Sequence, residues 1–318
     1  MASTIVAAVQ SRWPGAELTW AAGAPVAELV RTFCGVDRVI PVDDTALLRG
    51  SWSARVRALL SAWVTIGRGY DVAIVAHTDK RYTFLAAFSG ASDVRRHAAD
   101  DGSAIVGRWH GASYAELVGG TPTTEPRLAK VDFARLPVMA RGGDSRPMVI
   151  VAPGGARNAL RDDPLRRWPI ASWQRLTERL VASGVRVVIV GGDGDHAEAA
   201  ECEAAGGENR CGGTAVSELV ALIHAADCVV SHDSSVLHLA ILAGTHCVAL
   251  FGPTRPGDRV PAGAAVTVLS AARGLPCAPC YDGRGYAPCA LNRCLQDVTL
   301  EQVLGAVMAR TTARMEHA

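Results

Sequence analysis

Short apolar runs alternate along the chain with stretches whose apolar positions recur every three to four residues. The runs have the length and β-branched content of buried strands, and the stretches have the period of helices. In the first half this pattern predicts strands over 17–20, 37–42, 70–76 and 104–106, with helices over 26–32 and 53–66. The segment Arg141-Gly142-Gly143-Asp144-Ser145-Arg146-Pro147 is polar, glycine-rich and closed by proline. It is the predicted boundary between an N-terminal domain over 1–143 and a C-terminal domain over 144–318. The second half reads more cleanly, with strands over 148–152, 185–190, 228–231, 247–251 and 266–269. Helices are predicted there over 170–183, 196–205, 216–226, 235–243 and 299–308. Strand–helix alternation of this kind predicts an α/β protein with parallel sheets. Two doubly wound domains facing a cleft, with ligands at the carboxyl ends of the strands, are its natural architecture.

Composition narrows the classes. The 318 residues suit two domains. With 49% hydrophobic and 20% charged residues, the chain can bury a full core, which excludes disorder. Lys+Arg 32 against Asp+Glu 31 leaves a net charge of +1 and argues against a nucleic-acid partner. No stretch reaches the roughly 18 apolar residues of a membrane span. The nearest, over 219–230, is broken by His224 and Asp227. Arg12 is the first cation, so no signal peptide is expected. Nine cysteines without a leader fit a reducing compartment, and the cytoplasm is the expected location.

Candidate chemistry sits at strand ends. A strand closing at Ser231 runs into Asp233-Ser234-Ser235, where a helix begins. Free N–H groups and the positive dipole end make such a helix start an anion site, although an N-cap role for Asp233 or Ser234 would also explain them. His238, four residues after Ser234, lies one turn along the same face. A second strand runs into Pro153-Gly154-Gly155, where glycine lets a backbone approach a ligand or simply turn. Arg166 and Arg167 come next and offer cations for a diphosphate, or ordinary surface charge. Gly192, Gly194 and Ala197 match a loose dinucleotide fingerprint. Asp193 and Asp195 put negative charge where its pyrophosphate belongs. Finally, Cys277-x2-Cys280-x8-Cys289-x4-Cys294 has spacing suited to one tetrahedral zinc or iron ion, with unliganded loop thiols as the alternative.

Taken together, Pro153-Gly154-Gly155, Arg166 ahead of Trp168-Pro169, Gly191-Gly192, Asp233-Ser234-Ser235 with His238-Leu239-Ala240, and Phe251-Gly252-Pro253-Thr254 resemble glycosyltransferase family 9. These are the ADP-heptose heptosyltransferases of bacterial cell surfaces. The resemblance implies a GT-B fold whose C-terminal domain holds the nucleotide-sugar. It implies donor contacts from Gly154, Gly155, Arg166, Asp233, Ser234, Ser235 and His238, with Asp195 as a candidate ribose contact. A late cysteine cluster recurs in the family, and some relatives bind iron through one, which supports a structural metal at Cys277, Cys280, Cys289 and Cys294. No cofactor is implied for catalysis. Relatives open with a strand and a Gly-Asp pair whose aspartate is the base. Here Met1–Val6 matches the start of the helix after that pair, and Arg12–Leu18 matches the segment beyond that helix. On this alignment the base precedes Met1, and either the true start lies upstream or the chain lacks its base. Asp79 and Asp93, on N-terminal loops, are the alternatives within it. A missing strand would also leave unpaired backbone in the N-terminal sheet.

The expected function is therefore an inverting glycosyltransferase moving a sugar, with heptose implied, from a nucleoside-diphosphate donor to a saccharide, glycolipid or protein hydroxyl. Peripheral membrane association stays open. The rival readings are a nucleotide-sugar-binding protein without turnover and a nicotinamide-dependent enzyme.

Overall fold

The computed structural model describes residues 1–77, 79–97, 107–119, 126–139, 144–157, 162–283 and 285–315. The predicted strand over 104–106 and part of the predicted boundary segment lie outside the described residues. The chain divides into two compact units, Met1–Leu136 and Pro137–Ala318.

The first unit runs α1 (Thr4–Arg12), β1 (Thr19–Gly23), α2 (Ala24–Val30), β2 (Arg38–Val42), α3 (Asp44–Arg49), α4 (Trp52–Ile66), β3 (Val72–Val75), α5 (Lys80–Ala86), β4 (Asp93–Arg96) and α6 (His110–Glu116). Its strands form two parallel pairs, β1–β2 and β3–β4, where one sheet was expected. Apolar side chains join the pairs beneath α1: Trp20 of β1 and Ile74 of β3 pack on the cluster of Ile5, Val9 and Val118. Thr4 Oγ1 donates to Gly111 O at 2.8 Å and ties α1 to α6. A second cluster, Val42, Leu47, Ala62 and Leu85, sits between β2 and helices α3 to α5.

Two elements differ from the sequence expectation. β1 starts two residues later than predicted, because Thr19 to Gly23 is the register that pairs with Arg38 to Val42. β4 was not foreseen, since Asp-Val-Arg-Arg shows no apolar run, and its residues alternate between half-buried and exposed.

The second unit contains β5 (Met148–Ala152), α7 (Ile170–Ala182), β6 (Arg186–Ile189), α8 (His196–Ala204), β7 (Glu208–Asn209), α9 (Val216–Ala225), β8 (Cys228–His232), α10 (Ser235–Ala243), β9 (Cys247–Leu250), α11 (Pro256–Arg259), β10 (Val266–Leu269), α12 (Arg293–Gln296) and α13 (Leu300–Met315). The six strands make one parallel sheet ordered β10-β9-β8-β5-β6-β7. β5, β8 and β9 are buried along their whole length, as the central strands of a parallel sheet covered on both faces must be. The connections wind outward in opposite directions from β5 and β8, so the topological switch point lies between those two strands. Their carboxyl ends open the crevice where an open α/β sheet binds ligands. Among the described residues no helix is long and apolar enough to cross a membrane.

Candidate functional site

Four loops meet at the carboxyl ends of β6, β5, β8 and β9. The first leaves β5 as Pro153-Gly154-Gly155. Gly155 takes φ +85°, a left-handed conformation that favours glycine, and a Cβ there would stand 3.1 Å from Ser234 Cβ. A Cβ on Gly154 would fall 2.4 Å from the Asp195 carboxyl. Both glycines therefore let this loop lie directly on its neighbours.

Asp195 fastens the loop. Its Oδ1 accepts from Gly155 N at 2.9 Å and Arg157 Nη1 at 2.8 Å, and its Oδ2 accepts from Gly192 N at 3.0 Å. Arg157 continues to Glu198 at 2.7 Å. Arg167 Nε donates to Gly155 O at 2.8 Å and its guanidinium pairs with Asp162. The bonds to Asp195 also weigh against the dinucleotide fingerprint, since the Gly192 amide that would face a pyrophosphate already holds a carboxylate.

His232, the last residue of β8, lies fully buried behind the loop. Its Nε2 accepts from Trp168 N at 2.7 Å and Trp173 Nε1 at 3.2 Å. Its Nδ1, 3.2 Å from Gly154 O, therefore carries the proton and donates. Burial, with smaller contributions from Arg167 and Arg166, pushes its pKa down to about 4, so the ring stays neutral. His232 thus ties the glycine loop of β5 to the Trp168-Pro169 corner.

Next comes Asp233, almost wholly buried. Its Oδ2 accepts from Arg166 Nη1 at 3.1 Å and from Arg259 Nε at 3.2 Å. Burial alone would raise its pKa, but Arg259, Arg166 and His238 hold it below the usual carboxylate range. Asp233 thus lies between two guanidinium ions, and Asp163 approaches Arg166 from the other side at 3.7 Å. Arg166 Nε is buried without a hydrogen-bond partner, a donor left for something else.

α10 starts at this point. Ser234 is its N-cap in an extended conformation, and its side chain makes no cap bond. The Ser234 hydroxyl lies 3.0 Å from Ser231 Oγ instead. Ser235 is exposed and His238, one turn on, is half-buried. The first-turn amides of α10 therefore meet no capping side chain of Ser234 and stand beside the arginine pair.

The structure brings Gly154, Gly155, Arg166, Asp195, Asp233, Ser234, Ser235 and His238 into this one region. Two of them play internal parts: Asp195 clamps loops, and Asp233 holds arginines. Sequence reasoning missed Arg259 and His232. Pro256, which opens α11 two residues after Phe251-Gly252-Pro253-Thr254, was the available signal for Arg259. For His232 it was its place between Ser231 and Asp233.

The structure does not show the metal centre expected at the late cysteines. Among the described residues no three His, Cys, Asp or Glu side chains gather closely enough to hold an ion. Cys277 and Cys289 are exposed, whereas Cys294 is buried and its Sγ donates to Asn292 Oδ1 at 3.5 Å. Cys289 Sγ accepts from Asn292 N at 3.2 Å, so local loop bonds occupy these sulfurs. Burial, and then its neighbours Cys280, Cys289 and Cys277, raise the Cys294 thiol to about 11. The spacing fits zinc or iron, and Cys277, Cys280 and Cys289 lie near enough to Cys294 to act on its thiol.

The sequence matches Glycosyltransferase family 9 (heptosyltransferase) over residues 57–287. It is 32% identical over 118 residues to lipopolysaccharide heptosyltransferase 2 of Escherichia coli, covering 35% of this chain and 32% of that protein. It is 26% identical over 310 residues to lipopolysaccharide heptosyltransferase 1 of Pseudomonas aeruginosa, covering 92% of this chain and 85% of that protein. The chain thus spans about a third of the length of the first curated relatives it matches. The solved structure of E. coli ADP-heptose lipopolysaccharide heptosyltransferase II aligns with a TM-score of 0.74 at 21% identity, covering 100% of this chain and 95% of that one. The GT-B fold is shared with such solved heptosyltransferases.

Proposed function

Because the chain belongs to glycosyltransferase family 9, the heptosyltransferase family, we propose that it moves a heptose from ADP-heptose to a hydroxyl of a lipopolysaccharide-type acceptor, with inversion at the anomeric carbon. The observation that carries the donor half is the α10 N-terminus beside Arg166 and Arg259 at the switch point of the sheet. A diphosphate needs fixed donors and positive charge that cost no reorganisation. The amides around Ser235, the spare Arg166 Nε and the His238 ring supply both. Asp233 keeps the two guanidinium groups from drifting toward solvent, and Asp195 with His232 holds the glycine loop against Ser234.

In this mechanism the acceptor oxygen attacks the anomeric carbon as the bond to the diphosphate oxygen breaks. The acceptor proton goes to a base, and the departing ADP keeps the bonding electrons. The arginines and the helix amides stabilise that growing charge. Asp79 and Asp93 are poorly made for the base. Asp79 hydrogen-bonds Arg81 and is held at about 2, and Asp93 is lowered in the same way by Arg95. No step passes through the late cysteines. The same two carboxylates favour a second reading, in which the chain binds donor without turning it over.

The test is ADP release and product mass with ADP-heptose and a heptose-free lipopolysaccharide core acceptor. Acceptor-dependent ADP release with a heptosylated product supports transfer. Donor binding without product selects the second reading, and neither result rejects both.

A further inference from the structure

The outward face of α4 is built against the usual rule for a surface helix. Its inner face is ordinary: Ala58 and Ala62 are buried, and Leu59 and Ile66 pack on the cluster of Val42, Leu47 and Leu85. On the other side Trp52, Val56, Leu60 and Val64 succeed one another at four-residue spacing and form a straight apolar ridge. Trp52 is 80% exposed, Leu60 52% and Val64 85%. The patch continues sideways, because Trp63 stacks on the exposed Phe88 at 3.8 Å and donates through Nε1 to Phe84 O at 2.7 Å. An exposed apolar surface of this extent marks an interaction site.

Charge identifies the partner. From Thr45 to Tyr70 the chain carries Arg49, Arg55, Arg57 and Arg68 and no acidic residue. Arg57 lies in the same groove as the ridge, and the Arg68 guanidinium stands 5.5 Å over the Phe88 ring. An apolar stripe with tryptophan at one end, flanked by arginines, is the pattern of a helix lying in a membrane interface with its axis parallel to the surface. A second copy of this chain would bring the same arginines against themselves, and an acidic lipid surface would not.

We infer that α4 is a peripheral docking face for an anionic phospholipid bilayer. The ridge enters the headgroup–acyl boundary, and Arg55, Arg57 and Arg68 meet lipid phosphates. This face involves α4 and its neighbours alone and is independent of the donor site.

The test is co-sedimentation of the full chain with vesicles of phosphatidylcholine containing phosphatidylglycerol, and with vesicles of phosphatidylcholine alone. The variants are Leu60→Ser with Val64→Ser, and Arg57→Gln. All three positions are exposed, so circular dichroism should show unchanged folding. Wild type should bind the anionic vesicles, and high salt should release it. The double serine variant should bind at least about tenfold more weakly, because two apolar side chains no longer enter the bilayer. Arg57→Gln should bind about fivefold more weakly, as expected for one cation near an anionic surface. Wild type that ignores both vesicles, or variants that bind as well as wild type, would overturn the inference. So would a dimer in sedimentation velocity that the serine variant dissociates, because the face would then join two copies.

Discussion

Asp233→Asn separates two roles for the central carboxylate. Asp233 holds Arg166 at 3.1 Å and Arg259 at 3.2 Å. Its own side chain is only 3% exposed. The substitution keeps the shape but removes the charge that Arg166 and Arg259 share, leaving Asp163 at 3.7 Å from Arg166. Removing one partner of a buried ion pair costs about 3–5 kcal/mol, and asparagine keeps one acceptor oxygen, so the lower end applies. About 3 kcal/mol corresponds to a fall in Tm of about 6–12 °C for a unit of this size.

Differential scanning calorimetry from pH 3 to 8 reads that change and its sign. Asp233 has a lowered folded pKa, so its contribution is present above its unfolded value near 3.8. It is lost as pH falls through the folded value. Wild type and variant should therefore differ fully at pH 7 and converge in acid.

The same variant should bind ADP about 10–150-fold more weakly, because the arginines lose their fixed positions and charge-assisted bonds of about 1.5–3 kcal/mol are impaired. Unchanged Tm together with unchanged affinity would refute the reasoning. Tighter ADP binding would refute it differently, by showing that the carboxylate opposes the diphosphate rather than arranging its ligands.

Gly155→Ala forces a side chain into φ +85° and against Ser234, and should cost about 1–3 kcal/mol in urea unfolding, with ADP affinity falling as well. His232 has its folded pKa near 4 against an ordinary 6.5, so wild-type stability should drop by about 3 kcal/mol as pH falls from 6.5 to 4. His232→Gln should remove that slope in pH-dependent unfolding. Thiol labelling of native protein should modify Cys34, Cys277 and Cys289 quickly and leave Cys202, Cys228 and Cys247 until unfolding. Protection of Cys277 and Cys289 together, with stoichiometric zinc or iron by elemental analysis, would show that the loop closes on an ion after all.

The second unit was readable because its central strands are continuous apolar runs buried on both faces, as at Met148–Ala152 and Cys247–Leu250. The first unit was less so. Asp93–Arg96 makes a strand from charged residues, and only its pairing with β3 reveals it. Around the site, Gly155 and Ser234 are visible as strings because their backbone requirements are local. The parts of Asp233 and Asp195 are not visible, since each depends on partners supplied by distant segments, Arg259 for one and Gly155 for the other. Cysteine spacing says which thiols could reach one ion, and the local bonds at Asn292 are a detail that spacing does not carry.

The central claim is that the end of β8 and the start of α10 hold a nucleoside diphosphate. Calorimetric titration of the full chain with ADP and AMP, in wild type and Arg166→Gln, tests it most directly. Saturable ADP binding, weaker for AMP and weakened by the substitution, is the predicted result. No saturable ADP binding, or binding that is the same for both nucleotides and indifferent to Arg166, would contradict it.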